Sequence, residues 1–308
     1  MSKCLIILSH KSCGSSVCLR LITNLAGART VAKTRHFENE TLYWTKAASL
    51  LERPQLPMHD SEVPLPGRVA RQELIRLLGD NVSNYSPPID NAELVFEGWR
   101  ALCSEYQPIF VEKSPHHLYQ RACLELIIEC MQRFPDIAFH FVGLVRNPMD
   151  VVYSQWQRWR GLPERIQAEW LIAYQNLLEI RETLGERLTV VRYEDLVADV
   201  RALGAVLDFL GTDPNLLQAS ALHRRSVAKW RGARAFGFAL APEVAALGRA
   251  YGYQEEDLPT RSDYAWAWPL LRTTLRGSHR LVRPLRQTVR DMRQAFKGAP
   301  RPNDTRIT

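Results

Sequence analysis

The 308-residue sequence lacks an apolar run of the roughly 20 residues that a membrane-spanning helix needs. An integral membrane protein is therefore excluded. The first apolar stretch, residues 4–8, is too short for the core of a signal peptide, and it predicts a first strand instead. We therefore expect a cytoplasmic protein.

Cysteine is scarce, and no two cysteines form a C-x-x-C pair. This spacing excludes a disulfide framework and a zinc site, and it predicts buried free thiols in a reducing compartment. The adjacent residues His116 and His117 form no metal cluster either, because neighbouring side chains on a helix diverge. We expect no metal. The six cysteines are Cys4, Cys13, Cys18, Cys103, Cys123 and Cys130.

Positive charge is concentrated at one end of the chain. Residues 261–308 carry eleven lysines and arginines against three aspartates, so residues 1–260 are close to neutral. A basic tail of this kind does not predict a nucleic-acid partner. We divide the chain into a domain, residues 1–258, and a basic helical tail, residues 259–308, that packs on the domain or contacts a polyanion such as a membrane surface. Its apolar positions with helical spacing are Leu285, Val289, Met292 and Phe296.

Apolar runs alternate with helical patterns, which is typical of an α/β fold with a parallel sheet. A sheet of four or five strands flanked by helices is predicted. The strands are residues 3–8, 108–112, 138–145 and 188–192, with a weaker one at 30–34, and the helices are residues 15–25, 115–133, 148–158 and 195–210.

Proline-rich sequence interrupts this alternation between the first two units, at residues 54–67 and 86–88. Such an interruption is either an insertion at the carboxyl edge of the sheet that determines ligand specificity or an inert surface excursion.

The first strand is followed by a polar loop that precedes the first helix. A phosphate there would meet the amide groups of a helix N-terminus, several hydroxyls and the ammonium group of Lys11. The loop is not a Walker A motif, because Lys11 precedes Gly14 instead of following the glycines. A serine-rich turn with an N-cap is the alternative.

A second basic position follows the strand at 138–145. Arg146 stands at the expected strand end, and Ser154 lies about two turns into the next helix, so the two could bind a second phosphate. The alternative is a structural arginine paired with Asp150. Two separated anion sites suit a ligand that carries phosphates at both ends of a nucleoside.

These two segments resemble the sulfotransferases that use 3'-phosphoadenosine 5'-phosphosulfate (PAPS), in particular their bacterial and heparan sulfate-type branch. The family pattern K-[ST]-x-G-[ST]-[ST] matches residues 11–16, and R-x-P-x-[DE] with a serine eight positions after the arginine matches Arg146 and Ser154. The resemblance implies a P-loop-like fold with PAPS as co-substrate. It assigns the 3'-phosphate to Arg146 and Ser154, and the 5'-phosphosulfate to Lys11, Ser12, Cys13, Gly14, Ser15 and Ser16.

Other segments extend the resemblance to residues 3–253. Lys113, in an E-K-[ST]-P segment, is implied to hold the transferring group, and Lys11 to stabilise the departing bridging oxygen. A Y-E-D-L segment at 193–196 is mainly architectural. A late loop that covers the cofactor contains Lys229, Trp230 and Arg231.

The general base is less clearly marked. The heparan branch has a glutamate and a histidine two residues apart, and here His36 matches the histidine while Thr34 replaces the glutamate. His36 is therefore the leading base, since imidazole can accept a hydroxyl proton near neutral pH. The substitutes are Glu38, Glu40 and Glu112.

The resemblance implies sulfuryl transfer from PAPS to a hydroxyl, less readily to an amine, of a carbohydrate, a lipid or a small metabolite. Four tryptophans either stack against a sugar or fill the core: Trp44, Trp99, Trp156 and Trp159. A kinase-like nucleotide enzyme is one alternative, although the sequence shows neither a Walker A loop nor a magnesium-binding carboxylate. A non-catalytic protein that binds PAPS or another polyanion is the second, and Thr34 favours it.

Overall fold

The computed structural model describes residues 2–25, 27–36, 39–58, 61–212, 226–233 and 236–261. The apolar positions predicted for the tail helix and the candidate base Glu38 lie outside these residues.

In the described part of the chain, five parallel strands form one sheet in the order β2-β3-β1-β4-β5, flanked by helices. This confirms the predicted α/β class. The strands are β1 (Ser2–Ser9), β2 (Ala28–Arg29), β3 (Ile109–Lys113), β4 (Ile137–Val145) and β5 (Leu188–Arg192).

The predicted strand at 30–34 was wrong, because the strand in this region, β2, starts at Ala28 and ends at Arg29. Side chains take the hydrogen bonds that a sheet neighbour would otherwise make. The amide of Ala32 donates to the Tyr106 hydroxyl over 2.9 Å, and the amide of Lys33 donates to Asn81 Oδ1 over 3.0 Å. The backbone therefore leaves the sheet edge after two residues.

Two predicted helices are divided in the structure. The one at 115–133 breaks at Gln120, which has an extended backbone and whose side chain bonds both the amide and the carbonyl of Leu56 over 2.8 Å. The one at 195–210 breaks at Asp199 and Gly204. The helices are α1 (Ser15–Leu25), α2 (Tyr43–Leu50), α3 (Gly67–Asn81), α4 (Asn91–Glu105), α5 (His116–Tyr119), α6 (Arg121–Arg133), α7 (Pro148–Trp159), α8 (Pro163–Leu184), α9 (Tyr193–Ala198), α10 (Ala205–Leu210) and α11 (Pro242–Ala250).

Helix α8 was not expected, although its sequence has helical spacing. Pro163 occupies the first turn, where a missing amide proton costs nothing, and buried apolar residues follow every three or four positions. With 22 residues it is the longest helix described. Of the helices in the described ranges, none combines the length and apolar character that a membrane span requires. The buried apolar positions of α8 include Ile166, Trp170, Tyr174, Leu177, Ile180 and Leu184.

The proline-rich interruption carries a folded layer instead of an inert excursion. Helices α2, α3 and α4 contribute buried side chains to the larger of the two main hydrophobic clusters. Trp44 and Trp99 are fully buried there, with ring centroids 4.7 Å apart. For these two tryptophans, the core-filling alternative is the one that the structure supports.

All six cysteines are buried and free, as predicted. Burial raises the pKa of the Cys13 and Cys18 thiols to about 12. These two thiols therefore stay protonated and are poor nucleophiles at neutral pH.

The central strand β1 is buried on both faces, which explains its continuous apolar sequence. Leu5 and Ile7 face one hydrophobic cluster, while Ile6 and Leu8 face the other. Because β1 pairs with β3 on one side and β4 on the other, the segments after these three strands meet at one edge of the sheet. That edge brings together the residues of the candidate site.

Candidate active site

The loop after β1 has the backbone of an anion-binding turn. Ser12 and Gly14 have φ angles of 65° and 91°, and the amide of Cys13 donates to the carbonyl of His10 over 3.3 Å. The turn leads directly into α1, whose first amides have no intrahelical acceptor. Together these features form a concave surface of N–H groups suited to an anion.

Gly14 is required by close packing as well as by its positive φ. A Cβ atom there would lie 2.3 Å from two ring carbons of Tyr193. The Tyr193 hydroxyl lies 2.8 Å from Ser226 Oγ, and the Arg146 guanidinium lies 4.8 Å from the ring centroid. The Y-E-D-L segment therefore supports the first loop from behind.

Arg146, at the end of β4, connects two loops. Its Nη1 donates to the carbonyl of Ser12 over 2.8 Å, and its Nη2 donates to the carbonyl of Ser226 over 2.6 Å. Among the described residues, two buried polar atoms have no hydrogen-bond partner here, Arg146 Nε and Ser12 Oγ. Unsatisfied buried groups are costly, and at such a position they indicate a place for a polar ligand.

Asp150 organises the late loop. Its Oδ2 accepts a hydrogen bond of 2.9 Å from the amide of Ala228, and burial raises its pKa against the opposing effect of Arg146. Ser154 is half-buried one turn further along α7, on the same face as Asp150. Of the two candidate 3'-phosphate residues, Arg146 thus lies at the end of β4 and Ser154 lies within the helix that follows it.

The late loop itself turns at residues 229–232. Lys229 is exposed, and Trp230 packs partly against the core. Arg231 donates to Asp257 Oδ1 over 2.6 Å. Through Ser226 and Ala228 this loop is attached to the end of β4.

Lys113, the last residue of β3, is 1% exposed. Its Nζ donates to Ser16 Oγ over 3.1 Å and to Glu40 Oε1 over 3.0 Å. The other carboxylate oxygen, Glu40 Oε2, lies 3.8 Å from His116 Nδ1. This ion pair joins α1, β3 and the loop before α2.

Lys11 and two histidines share one neighbourhood. Lys11 is half-buried, and its carbonyl accepts from Gln155 Nε2 over 3.1 Å. Burial lowers the pKa of His116 well below its usual range, and the charge of Lys11 lowers it further. His10 responds in the same way to burial and to Lys11, although Glu169 partly opposes the shift.

His10 and Glu169 were not predicted as site residues. His10 Nε2 lies 3.6 Å from Glu169 Oε2, and both residues are buried. Glu169 belongs to α8, which had not been expected. No motif in the sequence links residues 159 positions apart, so only the packing of α8 shows this pair.

The contact between Cys13 and Tyr174 explains why a small residue occupies position 13 of the first loop. The Tyr174 hydroxyl donates to the carbonyl of Leu144 over 2.7 Å and lies 3.0 Å from Cys13 Sγ. The thiol therefore faces the core, so that only the backbone of Cys13 faces the turn.

His36 has partners at both ring nitrogens. Nδ1 lies 2.5 Å from Glu62 Oε1, and Nε2 lies 3.1 Å from Lys46 Nζ. An ammonium group only donates, so Nε2 accepts and the ring proton is on Nδ1. Thr34, in the place of the expected glutamate, donates to the carbonyl of Glu40 over 2.8 Å. In this structure the Nε2 lone pair of His36 already accepts a hydrogen bond from Lys46.

Glu112 lies inside the protein at 0% exposure. Its Oε1 accepts from Thr41 Oγ1 over 2.8 Å and from Ser114 Oγ over 2.5 Å. Oε2 lies 3.3 Å from His117 Nδ1, and His117 Nε2 accepts the amide proton of Trp44 over 3.2 Å. Burial raises the pKa of Glu112, but His117 and the hydroxyl donors outweigh burial and lower it.

The side chains of residues 112–117 therefore form two separate groups of contacts. Glu112, Ser114 and His117 form a buried network, while Lys113 and His116 face Glu40. The adjacent histidines diverge, as expected for neighbours on a helix.

We predict that Glu112→Ala lowers the free energy of unfolding by about 3–5 kcal/mol, because two hydroxyls and an imidazole lose their shared acceptor in the core. Thr41→Val removes one donor to Glu112 and one acceptor of the Tyr43 amide, and it should cost about 1–2 kcal/mol. Urea denaturation followed by circular dichroism measures both values. Equal effects of the two variants would contradict the central position of the carboxylate.

The remaining tryptophans lie near α7. Trp156 is half-buried, with its ring centroid 5.8 Å from that of Tyr153 and 4.7 Å from that of Phe236. Trp159 is 43% exposed. These two positions are compatible with a contact to an acceptor.

The comparison with known protein families matches part of the chain that contains segments of the candidate site. Residues 88–215 match the model of the Sulfotransferase family. This range contains Lys113, Arg146 and the Y-E-D-L segment. No curated protein matches the chain significantly.

The chain is similar to three solved sulfotransferases, and it shares the fold of the first of them. The Sulfotransferase Domain from the Curacin Biosynthetic Pathway has a TM-score of 0.55 and 19% identity, with 84% of this chain and 99% of that chain covered. A sulfotransferase from Alicyclobacillus acidocaldarius has a TM-score of 0.44 and 13% identity, covering 88% and 98%. Sulfotransferase STF9 from Mycobacterium avium has a TM-score of 0.39 and 15% identity, covering 80% and 75%. Residues 88–215 of this chain thus resemble the sulfotransferase family.

Proposed function

We propose that the chain transfers a sulfuryl group from PAPS to a hydroxyl group of a carbohydrate, a lipid or a small metabolite. The observation that carries this proposal is the meeting of three strand ends. Lys113 is the last residue of β3, the anion-binding turn follows β1, and Arg146 follows β4.

The residues at this edge fit both ends of PAPS. Ser12 Oγ and Arg146 Nε are buried donors without a partner among the described residues, so each has a hydrogen bond to offer. We assign the 5'-phosphosulfate to the turn at 11–16 and the 3'-phosphate to Arg146 and Ser154. Lys229 and Trp230, held next to Arg146 by the late loop, would cover the nucleotide.

In the proposed reaction the acceptor oxygen forms a bond to sulfur while the bond from sulfur to the bridging oxygen breaks. Lys11 stabilises the negative charge that develops on the bridging oxygen, and Lys113 binds the sulfonate. Most of the rate acceleration then comes from positioning and electrostatics, as in phosphoryl transfer.

For the proton of the acceptor we propose His116 in place of His36. His116 Nδ1 is buried and has no hydrogen-bond partner among the described residues, so it can carry the ring proton and leave Nε2 as the base, whereas His36 Nε2 accepts from Lys46. Burial and the charge of Lys11 lower the pKa of His116, so it is neutral and able to accept a proton.

Isothermal titration calorimetry with adenosine 3',5'-bisphosphate tests the donor site. We expect Arg146→Met to weaken binding about 100-fold, since a charged donor worth about 3 kcal/mol is lost. Arg20→Met, on the exposed face of α1, is the matched control and should bind like the unaltered protein.

Absence of binding by the unaltered protein would overturn the proposed function. Binding without conversion of PAPS in the presence of a broad panel of acceptors would instead favour the non-catalytic alternative. Thermal melting of Arg146→Met distinguishes lost contacts to the ligand from a loosened loop.

A further inference from the structure

One carboxylate stands between the residue proposed to bind the sulfonate and the residue proposed as base. Glu40 Oε1 accepts from Lys113 Nζ over 3.0 Å, while Glu40 Oε2 is 3.8 Å from His116 Nδ1. The first distance is that of a charge-assisted hydrogen bond, and the second is beyond hydrogen-bond length. The carboxylate thus binds the lysine and only approaches the histidine.

The backbone near Glu40 is held firmly. Thr34 Oγ1 donates to the Glu40 carbonyl over 2.8 Å, and Thr41 Oγ1 donates to the buried Glu112 over 2.8 Å. A change of partner at Glu40 therefore requires rotation of its side chain only. Closing the distance to His116 takes a movement of about 1 Å.

The groups that face His116 come from several elements. His10 and Lys11 follow β1, while His36 and Glu40 belong to the loop before α2. His117 is the neighbour of His116 on α5. Glu40 is the acidic group that the structure places within 4 Å of the ring. Its carboxylate can therefore stabilise a positive charge on His116.

We propose that Glu40 exchanges partners when the donor binds, leaving Lys113 to the sulfonate and accepting a hydrogen bond from His116 Nδ1–H, so that His116 Nε2 is the nitrogen that takes the acceptor proton. This inference rests on the proposed function and extends it to the coupling between donor and base. Glu40 is then a positioning residue, because it acts through His116. The base becomes stronger only when a sulfonate is present to be transferred.

Two ligands that differ by one sulfuryl group test the exchange. PAPS without an acceptor carries the sulfonate, whereas adenosine 3',5'-bisphosphate lacks it. Both 5' groups carry a charge of about −2 above pH 7, so charge alone does not separate them. The titration of His116 is followed by NMR of histidine-labelled protein and assigned with His116→Gln.

We expect the titration midpoint of His116 to be higher with PAPS than with adenosine 3',5'-bisphosphate. In Glu40→Gln the two midpoints should coincide, because a neutral amide does not stabilise the imidazolium. Glu97→Gln, the same change on the exposed face of α4, should retain the difference.

Affinity and rate give a second, independent readout. Glu40→Gln removes the competitor for Lys113, so PAPS should bind about fivefold more tightly, while kcat should fall about tenfold or more. Binding of adenosine 3',5'-bisphosphate should not change. A residue with only a structural role would weaken affinity and rate together.

The outcomes separate this inference from the proposed function. If adenosine 3',5'-bisphosphate does not bind, the proposed function is wrong. If PAPS is bound and converted but the His116 midpoint is the same with both ligands, or the difference persists in Glu40→Gln, the exchange is wrong and the proposed function stands.

Discussion

Lys113→Met should lower kcat for sulfuryl transfer by a factor of about 10²–10³, which is the usual effect of removing one preorganised charge from a transition state. The side chain is 0% exposed, so its charge acts with little screening by water. Methionine keeps the unbranched shape and removes the ammonium group. The measurement is steady-state turnover of PAPS.

Lys3→Met is the matched control for this variant. Lys3 lies on β1 at the opposite end of the sheet, paired in register with Ile109, whereas Lys113 is paired with Ile7. Its kcat should equal that of the unaltered protein. If Lys113→Met kept its turnover within about threefold, a difference of less than 1 kcal/mol, Lys113 would have no role in the transition state.

Gly14→Ala should lower the free energy of unfolding by about 2–5 kcal/mol. About 1–2 kcal/mol comes from the positive φ angle and the rest from overlap with the Tyr193 ring, where a Cβ atom would lie at 2.3 Å. Displacement of that ring also moves Arg146, so affinity for adenosine 3',5'-bisphosphate should fall with stability. Urea denaturation and calorimetry measure the two effects.

Gly211→Ala separates the two causes. Gly211 has a φ of 71° and nothing within 4 Å of an added Cβ, so alanine there should cost only about 1 kcal/mol. A Gly14→Ala variant no less stable than Gly211→Ala would show that the Tyr193 ring moves aside at little cost.

The parallel α/β class and the positions of the two basic motifs along the chain could be predicted from the sequence, because they depend on short-range patterns. Continuous apolar runs marked β1 and β4, and turn residues marked the loops behind them. The helices of the proline-rich interruption were harder to predict, since their apolar faces are completed by distant elements such as α6.

The partners of the ionisable side chains could not be predicted in the same way. His36 matched a family position, yet in the structure its two ring nitrogens contact Lys46 Nζ and Glu62 Oε1. His116 was considered only as half of a histidine pair that forms no metal cluster, yet it lies beside Glu40 with an unpartnered nitrogen. Glu112, a substitute base by its position, is a buried acceptor.

The sequence by itself determined that this protein has a parallel α/β sheet with a polar turn after β1 and an arginine after β4. Those features follow from strand period, turn chemistry and motif spacing, which are local. Only the tertiary structure decided which histidine has an available lone pair, that Glu40 bridges Lys113 and His116, and that Tyr193 excludes a side chain at Gly14. These contacts join residues from different strands and loops, and their distances depend on how the whole sheet and its helices pack.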